Sequence, residues 1–313
     1  MTLIPFLHQL SQAREAVWID AFTLAAPELT LRPLRNLSER EKATATLAVL
    51  GDAKSDDLDA LPNLVWAQNL WAGVNGIVDQ CAARNIGLTR MVDPDMARTL
   101  SEYVSTAALT LHRDFPTYTK QQAHAEWVQH TVPLPESRTI GVLGLGEIGT
   151  VTAKQLAMNG FEVWGWARSQ KDIADVTCLS GEDGLTRLLS HADMVVLLLP
   201  LTDATENLVD ASFLSKMKQG ASLINVARGG LIDDAALLSA LDGGGVGHAV
   251  LDVFREEPLP LAHPFWQHPN VTVTPHVAAT TRPETAAPIA AANIRAFLDT
   301  DEMPDVVSPK RGY

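Results

Sequence analysis

TIGVLGLGEIGTVTAKQLAMNG, residues 139–160, decides the fold. An apolar run at 140–143 meets a glycine turn, Gly144, Gly146 and Gly149, and continues into a helix-like segment closed by Gly160. This is the strand, turn and helix context that G-x-G-x-x-G requires before it carries meaning. The first glycine permits a tight turn. The second lets a pyrophosphate approach the backbone, and the third lets helix and strand pack closely. Free N–H groups at the helix start, around Glu147 and Ile148, then face the phosphates. The expectation is a dinucleotide-binding βαβ unit.

Outward from this turn the alternation is regular. Strands are expected at 161–166, 194–199, 221–225, 249–253 and 271–274, with helices at 184–190, 211–216 and 233–241. Strands alternating with helices argue for a doubly wound parallel sheet, the Rossmann arrangement. Before the turn, short apolar runs at 3–7, 46–50, 64–67 and 87–89 suggest a second, smaller α/β layer, with a short helix at 55–60 opened by a serine cap. Asp93-Pro94 marks a break. A long helix should then run from 96 to 112, ended by Phe115-Pro116. The alanine-rich tail at 283–298 is helical and has no sheet left to cover in the second half. It is expected to return to the first. The expected division is therefore 1–96 with 282–313 as one domain, and 97–281 as the cofactor domain.

The totals agree with this reading. A chain of 313 residues is long for one core. It is 46% hydrophobic and 19% charged, as ordinary globular proteins are. A formal charge of −13 argues against nucleic acid as a partner, which demands a basic surface. The two cysteines, Cys81 and Cys178, form no C-x-x-C motif or disulfide framework. The start, MTLIPFLHQL, has no basic n-region, and the longest apolar run is too short to cross a bilayer. A cytoplasmic protein without a membrane partner is expected.

The second strand of such a fold normally ends in an acidic residue that binds the ribose 2′-hydroxyl of NAD. Here it ends in Arg168-Ser169-Gln170-Lys171. Two cations and a hydroxyl suit a 2′-phosphate, which a carboxylate would repel. NADP(H) is therefore the expected cofactor, with NAD(H) as the alternative.

Three further motifs follow the glycine turn in order: LINVARGGLIDDAALL at 223–238, LDVFREEPLP at 251–260 and TPHVAATT at 274–281. With LGLGEIG they resemble the D-isomer-specific 2-hydroxyacid dehydrogenases over most of the chain. MVDPDMARTLSEYV at 91–104, with His112-Arg113, Tyr118, Trp127 and the Arg168 cluster, is most similar to the glyoxylate/hydroxypyruvate reductase A branch. The resemblance implies a flavodoxin-like, discontinuous substrate domain beside the Rossmann domain, and a homodimer. It implies reduction of a small 2-oxo acid to the D-2-hydroxy acid. Arg228 would orient the substrate, His276 would be the acid/base and Glu257 its acidic partner. The turn Ala72-Gly73-Val74 would bind the substrate carboxylate through backbone amides. Pro200 would line the adenine site, and Thr205, Val226 and Asp252 would lie toward the nicotinamide.

The chemistry has its own logic. Carbonyl reduction places a hydride on carbon and a proton on oxygen, and histidinium is a suitable donor near neutrality. A carboxylate behind the ring fixes its tautomer and stabilises the cation. An arginine can hold carboxylate and carbonyl together. His276 stands just past the apolar run VTVT, where such sheets place ligands. His263 and His268 flank Pro264, Phe265 and Trp266 and read as an aromatic-packed loop, so no metal is expected.

One departure stands out. The reductase A branch commonly has a tryptophan after an early strand of the substrate domain. Here that place holds Leu50-Gly51, and Trp71 occupies a turn where small residues are usual. A relocated aromatic wall, a changed and bulkier substrate, or a plain packing role for Trp71 would each account for it. A short-chain dehydrogenase is excluded, because no tyrosine stands four residues before a lysine. A dinucleotide-sensing binding protein or corepressor remains the rival from another class.

Overall fold

The computed structural model describes residues 1–74 and 76–308. The chain divides into two compact units, one of residues 1–96 and 281–313, the other of residues 97–280. Both are built on wholly parallel sheets.

The first unit contains β1 (Thr2–His8), β2 (Leu29–Pro33), β3 (Leu47–Gly51), β4 (Trp66–Asn69) and β5 (Gly87–Thr89), in the spatial order β2-β1-β3-β4-β5. This is the flavodoxin-like order. All five residues of β3 and all four of β4 are buried, as befits strands covered on both faces. One face packs on the helix Gln12–Ala25 and on the helix Pro283–Thr300, whose Ala286, Ala287, Ala290, Ala291, Ile294 and Phe297 form its buried stripe. The alanines let that helix lie close to Trp18, Phe22 and Trp66. The tail thus completes the first core, and the unit is discontinuous in sequence.

The second unit contains β6 (Thr139–Leu143), β7 (Glu162–Ala167), β8 (Thr177–Ser180), β9 (Met194–Leu197), β10 (Ala221–Asn225), β11 (Val246–Leu251) and β12 (Val271–Val273). Their order is β12-β11-β10-β9-β6-β7-β8, so the winding reverses between β6 and β9. Successive residues supply opposite faces. Leu143, Val195, Leu197, Leu223 and Leu251 enter one core, while Ile140, Val142, Val196, Ile224 and Val250 enter the other. This is the doubly wound Rossmann sheet.

Several local expectations are corrected. β2 and β8 were not expected as strands. Both are edge strands with few aliphatic residues. The short helix is Ser55–Asp59 and is opened by the Asp57 carboxylate, which accepts from Lys54 N–H at 2.8 Å, not by a serine cap. Phe115-Pro116 does not simply end a helix. Asp114 takes a left-handed conformation, and a new helix, Phe115–Ala123, begins with Pro116 in its first turn. Proline is tolerated there because the N–H it lacks would be unbonded anyway. Among the described residues, no helix is long and apolar enough to cross a membrane.

Candidate active site

In the second unit, β6 delivers the chain into the glycine turn at the point where the winding reverses, the place where open α/β sheets take ligands. Gly144 has φ +106°, and a Cβ on it would lie 2.5 Å from the Leu198 carbonyl oxygen just past β9. A Cβ on Gly149 would lie 1.7 Å from the Gly144 oxygen. Neither position accepts a side chain. A Cβ on Gly146 would meet nothing within 4 Å, so this backbone faces open space. Gly146 is also the N-cap of the helix Glu147–Met158, and no side chain caps it. An uncapped helix start beside open backbone fits a pyrophosphate.

β7 ends at Ala167, and Arg168, Ser169, Gln170 and Lys171 follow as exposed residues. Gln170 tethers this loop to β8. Its Nε2 donates to the Cys178 carbonyl at 3.0 Å, and its Oε1 accepts from the Ser180 hydroxyl at 3.1 Å. Beyond β9, the Thr205 hydroxyl donates to the Pro200 carbonyl at 2.7 Å and accepts from Thr202 N–H at 2.8 Å. One side chain thus closes the 200–205 loop. Val226 lies in the sheet core, only 6% exposed.

The ends of β10, β11 and β12 carry the charged groups. Asn225 closes β10 fully buried. Its Nδ2 donates to the Arg228 carbonyl at 2.9 Å and its Oδ1 accepts from Ala227 N–H at 3.1 Å, which folds the 225–228 turn on itself. The half-buried Arg228 donates from Nη1 to the Ala227 carbonyl at 2.6 Å. Burial lowers the pKa of its guanidinium, and the nearby Glu257 charge opposes that shift. The Arg228 loop reaches the loop after β11 backbone to backbone, since a Cβ on Gly229 would lie 2.0 Å from the Phe254 carbonyl carbon.

Glu257, not Glu256, then bridges. Its Oε1 accepts from Phe254 N–H at 2.8 Å, and its Oε2 lies 2.6 Å from His276 Nδ1. A carboxylate only accepts, so Nδ1 carries the hydrogen. The other ring nitrogen, Nε2, is the one left to give or take a proton. About half of the His276 side-chain surface, 49%, is exposed. The structure therefore brings Glu257 into contact with the imidazole and into the electrostatic reach of the guanidinium.

Asp252 holds this arrangement in place. It is fully buried just past β11 and was expected toward the nicotinamide. Its Oδ1 accepts from the Thr274 hydroxyl at 2.6 Å and from Val277 N–H at 2.9 Å, and its Oδ2 accepts from Ala278 N–H at 2.8 Å. Between these anchors His276 sits at φ +52°, a conformation that costs a non-glycine residue about 1 kcal/mol or more. Tyr103 extends the chain of contacts, its hydroxyl 2.5 Å from that of Thr274. Sequence reasoning missed Asn225, Thr274 and Tyr103. For Asn225 and Thr274 the available signal was a polar residue at the C-terminal end of an apolar strand; Tyr103, inside the helix Pro94–His112, carried none. Of the other histidines, His263 caps the turn Pro264–Trp266 through Phe265 N–H, and His268 lies 3.4 Å from Asp242.

In the first unit, Asn69 ends β4 and its Nδ2 donates to the carbonyls of Trp71 at 2.9 Å and Gly73 at 3.1 Å. With those carbonyls held, the amides of Ala72, Gly73 and Val74 donate to nothing among the described residues. Val74 is buried, and Trp71 is half-buried with its indole N–H on Asp52 at 2.7 Å.

Residues 105–278 match the family model for the NAD-binding domain of D-isomer-specific 2-hydroxyacid dehydrogenases. The glyoxylate/hydroxypyruvate reductase A of Yersinia enterocolitica is 34% identical over 316 aligned positions, covering 99% of each chain. The chain belongs to the D-isomer-specific 2-hydroxyacid dehydrogenases. Within that family it sits with the reductase A branch. The Serratia proteamaculans reductase A is likewise 34% identical over 99% of both chains. Among solved structures, a D-isomer-specific 2-hydroxyacid dehydrogenase of Xanthobacter autotrophicus in complex with NADPH superposes with a TM-score of 0.93. It is 35% identical and covers 100% of this chain and 99% of its own. The NADPH-dependent glyoxylate/hydroxypyruvate reductase of Sinorhizobium meliloti, with NADP and sulfate, gives 0.92 at 30% identity over 100% of both chains.

Proposed function

We propose that this dehydrogenase uses NADPH to reduce a small 2-oxo acid of the glyoxylate or hydroxypyruvate type to the D-2-hydroxy acid. The observation that carries the reading is the Glu257–His276 pair at 2.6 Å, on a loop fixed by Asp252 and within reach of Arg228's charge. When bound, the reduced nicotinamide supplies the hydride.

The chain's own residues supply the rest. Gly144, Gly146, Glu147, Ile148 and Gly149 would hold the pyrophosphate, and Arg168, Ser169 and Lys171 the 2′-phosphate. Pro200, Thr205, Val226 and Asp252 would border the remainder of the cofactor. Arg228 would fasten the substrate carboxylate and polarise its carbonyl, so that one face is presented for reaction. The amides of Ala72, Gly73 and Val74 would take the other carboxylate oxygen, beside Trp71. His276, protonated at both nitrogens, would give its Nε2 proton to the carbonyl oxygen as negative charge develops there. Glu257 would stabilise the imidazolium and hold the ring's orientation. In the oxidative direction the neutral ring would accept the proton. The D configuration follows from the family. The same reading takes the molecule as a cytoplasmic homodimer without a nucleic-acid or membrane partner.

A panel of glyoxylate, hydroxypyruvate and phenylpyruvate with NADPH and NADH, followed by absorbance at the reduced nicotinamide band, tests the proposal. Turnover of the small acids with preference for NADPH is expected. Tight NADPH binding with no turnover of any 2-oxo acid would replace the reductase by a dinucleotide sensor.

A further inference from the structure

We propose that Asp52, steadied by Trp71, selects the substrate's side chain, favouring a 2-oxo acid with a hydroxyl on its third carbon and rejecting one with a second carboxylate. The inference rests on the reductase reading above and narrows it. β3 ends at Gly51, where a Cβ would already lie 3.3 Å from Phe6 and 3.5 Å from Leu70. The first residue that can present a functional group at this edge is therefore Asp52. It is exposed and left-handed at φ +61°, a conformation that aspartate tolerates better than most residues.

Its carboxylate does not hang free. Oδ1 accepts the Trp71 indole N–H at 2.7 Å, and Oδ2 has no partner among the described residues. Trp71 is fixed in turn. Its carbonyl accepts from Asn69 Nδ2 at 2.9 Å and from Met91 N–H at 3.0 Å, and its ring meets Trp18 edge-on at 5.8 Å. Trp71 directly precedes the 72–74 turn, whose amides are proposed for the substrate carboxylate. A fixed anionic oxygen therefore stands at the C-terminal edge of the first sheet, beside the residues assigned to the substrate's acid group.

Two consequences follow from charge. A substrate hydroxyl can donate to Oδ2, a charge-assisted bond that a site loses when the hydroxyl is absent. A second substrate carboxylate would face a like charge that the Trp71 indole bond holds in place. Glyoxylate, which has no side chain, forgoes that bond and meets no repulsion, so its reduction depends least on Asp52. The bulk of Trp71 adds a limit on size.

The test is kcat/KM with NADPH for glyoxylate, hydroxypyruvate and oxaloacetate, in the wild type and in Asp52→Asn. Asparagine keeps the shape, tolerates the left-handed backbone and still offers an oxygen to the indole. The wild type should favour hydroxypyruvate over oxaloacetate by at least about tenfold. Asp52→Asn should narrow that ratio by about tenfold, mainly through KM, with glyoxylate changing least. Trp71→Phe removes the indole N–H and should narrow the ratio in the same direction by a smaller factor. An unchanged ratio in an Asp52→Asn protein that still reduces glyoxylate overturns the role of Asp52 and leaves the reductase standing. A wild type that reduces none of the three overturns the reductase reading itself.

Discussion

Replacing Asp252 by asparagine should disable the His276 loop without touching the imidazole. The aspartate is fully buried and accepts three hydrogen bonds, two on Oδ1 and one on Oδ2. Asparagine offers one oxygen and one NH2. If its oxygen takes the Oδ1 position, the NH2 faces Ala278 N–H across 2.8 Å, donor against donor. If it flips, the NH2 faces Val277 N–H across 2.9 Å. In the first case the buried Ala278 N–H loses its acceptor, which costs about 1–3 kcal/mol; in the second the part-buried Val277 N–H does, at the lower end of that range. The surviving bonds also lose their charge assistance, worth roughly another 1 kcal/mol. The total, about 2–4 kcal/mol, exceeds the cost of holding His276 at positive φ, so the loop should relax toward an ordinary backbone conformation. The expected result is a melting temperature lowered by several degrees, faster amide exchange at Val277 and Ala278, and kcat reduced by about tenfold or more. Thermal melts, hydrogen exchange and steady-state kinetics read these separately. An Asp252→Asn protein with unchanged melting, exchange and kcat would refute the claim that this carboxylate positions the histidine.

Arg168→Asp should weaken NADPH binding by about tenfold or more and improve NADH, because it removes a cation from the proposed 2′-phosphate site and offers an acceptor to a ribose hydroxyl; nucleotide titration followed by fluorescence measures both constants. His276→Ala should cut kcat by about 10²- to 10⁴-fold while the NADPH dissociation constant stays within about threefold, which single-turnover kinetics and titration separate. His248 supplies a pH test of stability. Burial, with Lys120 and His268 adding positive charge, lowers its pKa from 6.5 to about 4. The folded protein therefore keeps this ring neutral where the unfolded chain protonates it. The stabilisation is complete above pH 6.5 and is lost as pH falls toward 4, by about 3 kcal/mol. Urea unfolding between pH 7 and 4 should show that loss, and His248→Asn should flatten it.

The parts of the fold that the sequence made plain are those where local chemistry and burial agree. β10 and the helix Ala211–Lys216 lie where the strand and helix alternation placed them. The helix Gln12–Ala25 left no comparable trace, because its buried positions are Glu15, Trp18 and Phe22, and a charged residue interrupts the apolar stripe. Glu15 is tolerated there because His8 at 2.7 Å and Arg35 at 2.6 Å meet its carboxylate, one from β1 and one from beyond β2. No window of sequence contains all three. β2 was hidden for a related reason. Its alternation rests on Leu29, Leu31 and Pro33 at a sheet edge, and proline inside an apolar run argues against a strand unless the edge position is known.

The candidate site divides along the same line. Gly144, Arg228, Glu257 and His276 were legible because each lies in a motif whose spacing carries its own reason. What fixes them in space was not legible as such: Asp252 was named, but toward the nicotinamide, and its role as an anchor rests on backbone groups brought close only by the sheet. Asp252 and Thr274 are 22 positions apart, and Tyr103 is 171 from Thr274. Asp252 and Thr274 each follow a strand, Tyr103 lies within the helix Pro94–His112, and their meeting is set by strand order, a property of the whole second unit. The residues that perform the chemistry can therefore be read from a motif, while those that hold it in register can be read only from the topology. Asp52 and Trp71 belong to this second group. They are 19 positions apart; Trp71 was visible as an unusual residue in the substrate turn, Asp52 was not, and only the adjacency of β3 and β4 makes them a pair. Substrate choice within a family that shares its motifs is the property such pairs are free to set.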